Sequence, residues 1–201
     1  MNCGYVFCEG KQDEAVFRAM IDSLGLEGLH VHNYEGKNRL KNALAAFASG
    51  KDYTARKYGR VLVTRDSDDD ATAAWQSLQD SMEHAFEVKP IAQGVAVAAE
   101  NGVLLAGLAI PGDGSPGMIE SICMSSLDPN SHPELKCVNG FIDCMETLQE
   151  QNIHPKTRFN VWVQSQLKKG YNLDKALKEA RFDFEAESFK TLRDALRWLA
   201  G

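Results

Sequence analysis

The first part of the chain repeats one pattern, in which a short apolar run is followed by a segment with the hydrophobic period of a helix. In the first repeat the run YVFCEG ends at Gly10, and apolar residues then recur about every 3.6 positions from Val16 to Leu24. LHVHNYEG and RVLVTRDSDDD predict two further strands, and KNRLKNALAAFAS and ATAAWQSLQDSMEHAF predict the helices that follow them. These strand–helix units favour an α/β fold with a mainly parallel sheet flanked by helices.

The pattern changes in the second half of the chain. GVAVAAENGVLLAGLAIP predicts a hairpin that turns at residues 100–102, and GDGSPG, residues 112–117, predicts a flexible loop. Helical segments follow: MIESICMSSL, LKCVNGFIDCMETLQE, TRFNVWVQSQLKK and ESFKTLRDALRWLA. We therefore predict an α/β core of residues 1–110 and a helical C-terminal part of residues 111–201 that packs on it.

Composition argues against several classes of protein. Hydrophobic residues make up 44% and charged residues 25% of the chain, which is typical of a folded globular protein rather than a disordered one. The apolar runs are far shorter than the ~20 residues of a membrane helix, and no secretory signal pattern is visible. The five cysteines are an odd number and include no CxxC pair. This favours a reduced compartment and argues against a zinc cluster. GDGSPG matches neither glycine pattern of nucleotide-binding loops. We expect a cytoplasmic protein without a membrane segment or a nucleotide cofactor.

The distribution of charge is more informative than the net charge of −6. Between Lys37 and Arg65 there are eight lysines and arginines against one acid, and between Asp66 and Glu87 there are seven acids and no lysine or arginine. Two solvated faces would explain this arrangement. A polyphosphate backbone guided towards a metal-loaded acidic centre would explain it equally well.

Acidic residues follow two of the predicted strands. Glu9 ends the first strand, and Asp66 and Asp68 end the third. Because side chains alternate along an extended backbone, positions 66 and 68 should point the same way and hold one hard cation together. Asp70 would be a further ligand or the N-cap of the next helix. The alternative for the whole group is a capped, solvated turn.

Several motifs resemble those of Toprim domains. CEGKQDE (residues 8–14) resembles their glutamate motif, VTRDSDDD (63–70) their paired-aspartate motif, and NYEGKN (33–38) a glycine turn between them. Together they cover about residues 4–90. PGDGSPGMIESI, LKCVNGFIDCME and KTRFNVWVQSQ are similar to a small prokaryotic Toprim-like family, akin to the nuclease-type Toprims of the overcoming-lysogenization-defect family.

The resemblance implies a Toprim-like, Rossmann-like fold and a set of site residues. Glu9 matches the glutamate that acts as general acid or base or shares a metal, and Asp13 matches the further acid of nuclease-type members. The metal ligands that the resemblance implies are Glu9, Asp66, Asp68 and Glu120, the last as a late glutamate from a helix beyond the core; Asp70 is added to them from its place in the acidic turn. An exposed glutamate at a helix start would explain Glu120 equally well. Lys37 can hold a phosphate as a point charge, or it is a solvated lysine at a helix start.

The function implied is that of a nuclease that cleaves DNA or RNA with Mg²⁺ or Mn²⁺. The chain is too short for a topoisomerase and lacks the zinc module of primases. A non-catalytic Toprim-like module that binds a metal, a phosphate ligand or a partner protein is the main alternative, and a hydrolase of small phosphorylated molecules is a third. Whether the chain forms a homodimer is left open.

Overall fold

The computed structural model of the chain describes residues 3–166, 173–178 and 182–201. The chain divides into two compact units. The first, called here the α/β unit, comprises Met1–Gly117 and Thr191–Gly201, and the second, called the helical unit, comprises Met118–Lys190.

The elements follow one another in this order: β1 (Cys3–Cys8), α1 (Lys11–Ser23), β2 (Leu29–Asn33), a 3₁₀ turn (Lys37–Arg39), α2 (Leu40–Ala48), α3 (Lys51–Thr54), β3 (Tyr58–Asp66), α4 (Ala71–Phe86), β4 (Val97–Ala98), β5 (Leu104–Ile110), α5 (Ile119–Ser125), α6 (Leu135–Gln149), α7 (Pro155–Gln164), α8 (Leu173–Lys178), a second 3₁₀ turn (Glu187–Phe189) and α9 (Lys190–Ala200). The predicted strands and the hairpin are confirmed. The short helices α3 and α8 were not predicted, and the end of the predicted helix TRFNVWVQSQLKK lies outside the described residues.

The strands form one sheet in the order β2-β1-β3-β5-β4. β1, β2, β3 and β5 run parallel, and β4 pairs antiparallel with β5. The predicted fold class, α/β with a mainly parallel sheet, is thus confirmed. From β1 the chain goes first to β2 on one side and then to β3 on the other. The direction of winding therefore reverses between β1 and β3.

The core of the α/β unit follows from the alternation of side chains along β1 and β3. Phe7, Val61 and Val63 belong to one buried cluster on one face of the sheet. Helices α2 and α4 contribute apolar residues one turn apart, Leu40 with Leu44 and Leu78 with Met82, to the same cluster. This packing fixes β1 and β3 against the two helices, so that the residues at the ends of these strands are held on a rigid frame.

The C-terminal helix belongs to the α/β unit and not to the helical part, in contrast to the predicted division at residues 110 and 111. Leu199 of α9 packs so closely on β1 that a Cβ atom added to Gly4 would lie 2.6 Å from its Cγ. The guanidinium of Arg60 on β3 donates a hydrogen bond to the carbonyl of Trp198. The hydrophobic period of this segment predicts a helix, but it carries no signal for the surface that the helix covers.

The helical unit has an aromatic core. Trp162 and Phe159 of α7 are buried, and the ring of Trp162 lies 5.1 Å from that of Phe182. Phe189 is fully buried, with its ring 5.0 Å from that of Phe184. Among the described residues, no helix combines the length and the hydrophobicity needed to cross a membrane.

Candidate metal centre at the carboxyl edge of the sheet

The carboxyl ends of β1 and β3 lie side by side, because the two strands are parallel neighbours in the sheet. Glu9 follows β1, and Asp66 is the last residue of β3. The winding reverses between these two strands, and ligands of open α/β sheets bind outside the carboxyl ends of the strands at such a reversal. The topology therefore brings the predicted acids to the expected place for a ligand.

Asp13 and Asp66 are two predicted site residues of the α/β unit whose carboxylates come together. One oxygen of each lies within 4.8 Å of the other. Asp13 is 5% exposed, and its Oδ2 accepts a hydrogen bond of 2.5 Å from the backbone N–H of Gly10 at the start of α1. This bond orients the carboxylate and satisfies a free N–H group of the helix end. Asp13 is thus positioned by α1 and Asp66 by β3.

Glu9 is held by the turn that follows β2. The N–H of Gly36 donates to the carbonyl of Glu9 at 2.8 Å, and Gly36 has φ +105°, a conformation that glycine adopts without strain. The Oε2 atom of Glu9 is shielded from solvent and has no hydrogen-bond partner among the described residues. Burial raises the pKa of Glu9, the charge of Asp68 raises it further, and Arg65 and Lys37 oppose the rise. A buried carboxylate oxygen without a donor is a site at which a cation would be stabilised.

The turn after β3 differs from the prediction. The strand ends at Asp66, and Asp68 has φ +47° in the left-handed region, so the alternation of an extended strand does not continue to position 68. The carbonyl of Asp68 accepts a hydrogen bond of 2.9 Å from Gly117, and its Oδ2 lies 3.1 Å from Nζ of Lys37. The described residues include no group in which Asp68 or Glu9 lies within 4.8 Å of both Asp13 and Asp66. The structure therefore pairs Asp66 with Asp13, where the sequence paired it with Asp68.

Two further predicted ligands have other contacts. Asp70 is exposed and is the N-cap of α4, because its side chain accepts a hydrogen bond of 2.9 Å from the N–H of Ala73. Glu120 belongs to the helical unit and is 2% exposed. Its Oε1 lies 3.6 Å from Nζ of Lys156, and within the described ranges its Oε2 has no hydrogen-bond partner. Metal binding by Asp70 and Glu120 stays a prediction.

Two polar residues beneath the acids were missed by the sequence reasoning. The hydroxyl of buried Tyr34 donates to the carbonyl of Thr64 at 3.0 Å, and the hydroxyl of Thr64 donates to the carbonyl of Phe7 at 2.8 Å. These bonds join the end of β1 to β3 and to the chain after β2. The threonine was the available signal, since it directly follows the apolar run Val61–Leu62–Val63 and is buried with it.

Cys8 precedes Glu9 and is buried. Burial raises the pKa of the Cys8 thiol well above its usual range, and the charge of Asp13 raises it further. A thiol that resists ionisation is a poor nucleophile. This agrees with the interpretation of Cys8 as a core residue.

The donor set suits a hard divalent cation. Asp13, Asp66 and Glu9 offer carboxylate oxygens, which are the ligands of Mg²⁺ and related ions, and the sulfur of Cys8 is held as a thiol. Oxygens that bind Mg²⁺ lie about 2.0–2.1 Å from the ion, so two of them can be up to ~4.2 Å apart. The Asp13–Asp66 pair comes near this separation. These acids can therefore bind a metal ion.

Solved structures share the fold. A hypothetical protein, PH0156 from Pyrococcus horikoshii OT3, is similar with a TM-score of 0.62 and 16% identity, over 99% of this chain and 95% of that one. The C-terminal region of the OLD protein from Xanthomonas campestris pv. campestris is similar with a TM-score of 0.52 and 11% identity, over 99% and 94% of the two chains. At these identities the likeness shows the fold alone.

No curated protein matches the sequence. A family model does match, over residues 4–201, and its description is a protein of unknown function, DUF3226. The match spans nearly the whole chain, and the protein therefore belongs to the DUF3226 family.

Proposed function

We propose that the protein is a Toprim-type phosphodiesterase that cleaves DNA or RNA with Mg²⁺ or Mn²⁺. The observation that carries the proposal is the pairing of Asp13 and Asp66 at the carboxyl edge, where the winding of the sheet reverses. Two carboxylates at such a place suit an ion that binds phosphate oxygens. The resemblance of the acidic motifs to Toprim domains and the α/β fold give further support.

Each acid has a role in this proposal. Asp13 and Asp66 hold the ion, and Asp13 is kept in place by its bond to Gly10. Glu9 is the general acid or base, because its raised pKa brings its proton exchange closer to neutral pH. When bound, Mg²⁺ or Mn²⁺ would neutralise charge on the phosphate oxygens and lower the pKa of a coordinated water.

The remaining predicted residues are assigned supporting roles. Lys37 binds a substrate phosphate, which would compete with its ion pair to Asp68. Asp68, which lies beside Lys37, and Asp70, which caps α4, are kept as further candidate ligands from the sequence. Glu120 stays a candidate ligand that the resemblance implies, and one of its carboxylate oxygens has no hydrogen-bond donor among the described residues.

Cleavage assays test the proposal. Plasmid, single-stranded DNA and structured RNA are incubated with the protein in Mn²⁺ and then in Mg²⁺, beside the variants Glu9→Gln and Asp66→Asn. We expect Glu9→Gln to lower the cleavage rate by about 10²–10⁴-fold, the usual contribution of a general acid or base. Asp143→Asn, which removes an exposed carboxylate from α6, is the control for the change in net charge and should cleave at the wild-type rate.

Two results would contradict a nuclease. One is cleavage that persists in both site variants, which would indicate a contaminating enzyme. The other is an absence of cleavage with every substrate while Mn²⁺ still binds, and this would favour the non-catalytic metal-binding or phosphate-binding module.

A further inference from the structure

A polar cleft opens beside the acidic edge, between the start of α2 and the helix α4. Its volume is about 550 Å³, which is in the usual range for ligand sites. Lys37, Lys41 and Arg65 line it together with Asn38 and Ser77. All belong to the α/β unit.

Cations dominate the lining of this cleft. Among the described residues that line it, Asp80 is the one carboxylate. This charge is already engaged, since Asp80 accepts a hydrogen bond of 2.6 Å from Gln76 and lies 3.4 Å from Nζ of Lys89. Lys41 is exposed and forms no ion pair within the part of the chain that the structure describes. The cleft therefore has an excess of positive charge although the whole chain is acidic.

The guanidinium of Arg65 has features that favour the binding of an anion. Its guanidinium donates a hydrogen bond to the hydroxyl of Ser77, which fixes the direction of the side chain. Its Nε is shielded from solvent and has no hydrogen-bond partner among the described residues. A buried N–H group without an acceptor is costly, and a phosphate oxygen would satisfy it with a charge-assisted bond.

The cleft adjoins the acidic centre through two residues. Arg65 immediately precedes Asp66 on β3, and Lys37 lies 3.1 Å from the carboxylate of Asp68. An anion in the cleft would therefore lie next to the carboxyl edge on which the metal centre is proposed. Consecutive phosphates of a nucleic-acid strand provide such a neighbouring pair of anionic groups.

We propose that this cleft binds a backbone phosphate of the nucleic acid next to the phosphate that is cleaved. Lys41 and Arg65 supply the charge, and Asn38 and Ser77 supply polar contacts. The identity of the polymer rests on the proposed function, whereas the affinity of the cleft for a phosphate backbone does not require cleavage. Lys41 and Arg65 act here as binding residues and have no part in the proton transfer assigned to Glu9.

Salt dependence of binding tests this proposal without catalysis. Binding of a fluorescein-labelled single-stranded DNA of about 20 nucleotides is measured by anisotropy in EDTA at several KCl concentrations. Each phosphate contact contributes about 0.7 to the slope of log K against log salt for single strands. Lys41→Gln should therefore reduce the slope by about 0.7, and the wild-type advantage in affinity should shrink about 2.6-fold between 50 and 200 mM KCl.

Lys51→Gln is the matched control, because Lys51 on α3 is also an exposed lysine but does not line the cleft. Its slope should equal that of the wild type. Equal slopes for all three proteins, equal reductions in both variants, or no binding in EDTA would each overturn the proposal. If Lys41→Gln has a smaller slope but no protein cleaves any substrate, the proposed nuclease activity is rejected and the phosphate-binding role of the cleft is supported. If cleavage depends on Glu9 but all slopes are equal, only the role of the cleft is rejected.

Discussion

Replacing Asp66 with asparagine removes one of two negative charges whose oxygens lie within 4.8 Å of each other. At an effective dielectric constant of about 20, two unit charges at 4.8 Å repel by roughly 3.5 kcal/mol. Asp66 is half-buried, so solvent screens part of this repulsion, and we expect a net gain of about 1–2 kcal/mol in the free energy of unfolding without metal. For a chain of this size that corresponds to a rise of about 2–8 °C in Tm.

The assay is thermal unfolding followed by circular dichroism, first in EDTA and then with millimolar Mn²⁺. The wild type should gain stability from Mn²⁺ by mass action, about 2.7 kcal/mol when the ion is at 100 times its Kd. Asp66→Asn should start from a higher Tm in EDTA and gain much less from Mn²⁺, because it has lost a ligand. Asp143→Asn makes the same change in net charge on an exposed helix surface and should follow the wild type in both buffers.

The reasoning is refuted if Asp66→Asn melts at or below the wild-type temperature in EDTA and Mn²⁺ shifts both proteins equally. That result would mean that Asp66 stabilises the fold through its own contacts and that the pair of carboxylates is not a metal site. A higher Tm in EDTA with an unchanged Mn²⁺ shift would support the repulsion but place the ion elsewhere.

Gly4→Ala should destabilise the protein by about 1–3 kcal/mol through overpacking, because the new Cβ would lie 2.6 Å from Leu199 Cγ and 2.8 Å from its carbonyl oxygen. Gly140→Ala in α6 is its control, since nothing lies within 4 Å there and alanine favours a helix by roughly 1 kcal/mol, so urea unfolding should show opposite signs. The contribution of Glu9 to stability should depend on pH. Its pKa in the folded state is raised above the ordinary 4.5, so the folded state binds more protons than the unfolded state. This contribution is therefore fully present below pH 4.5 and is lost as pH rises through the folded pKa. Urea unfolding in metal-free buffer should show the free energy of unfolding of Glu9→Gln increasing relative to that of the wild type as pH rises through this range. Parallel pH profiles of the two proteins would contradict the raised pKa of Glu9.

The strands can be predicted from the sequence because buried parallel strands consist of continuous runs of apolar residues. Val61, Leu62 and Val63 are all fully buried, and a run of this kind is typical of a parallel strand covered on both faces. The order of the strands also places Glu9 and Asp66 at one edge. These features depend on local patterns and on the geometry of parallel sheets, both of which can be read from a single chain.

The partners of the acids could not be predicted in the same way. Whether Asp66 meets Asp68 or Asp13 depends on the left-handed turn at Asp68 and on the angle at which α1 leaves β1. Neither is encoded in a hydrophobic period, because a positive φ at one aspartate and the exit angle of a helix leave the spacing of apolar residues unchanged. The ion pair of Lys37 with Asp68 joins residues from separate loops and likewise has no local signal.

Because the C-terminal helix belongs to the α/β unit, the helical unit is an insertion within that unit's sequence. Residues 118–190 are bounded on both sides by segments of the α/β unit. A Cβ at Gly112, shortly before the chain leaves that unit, would lie 2.6 Å from Cγ2 of Thr191, where the chain rejoins it. The loop after β5 and the start of α9 are therefore neighbours, as in a domain inserted into a loop of its host. The helical unit is then an inserted domain, and a short linker that joins the loop after β5 to α9 could replace it.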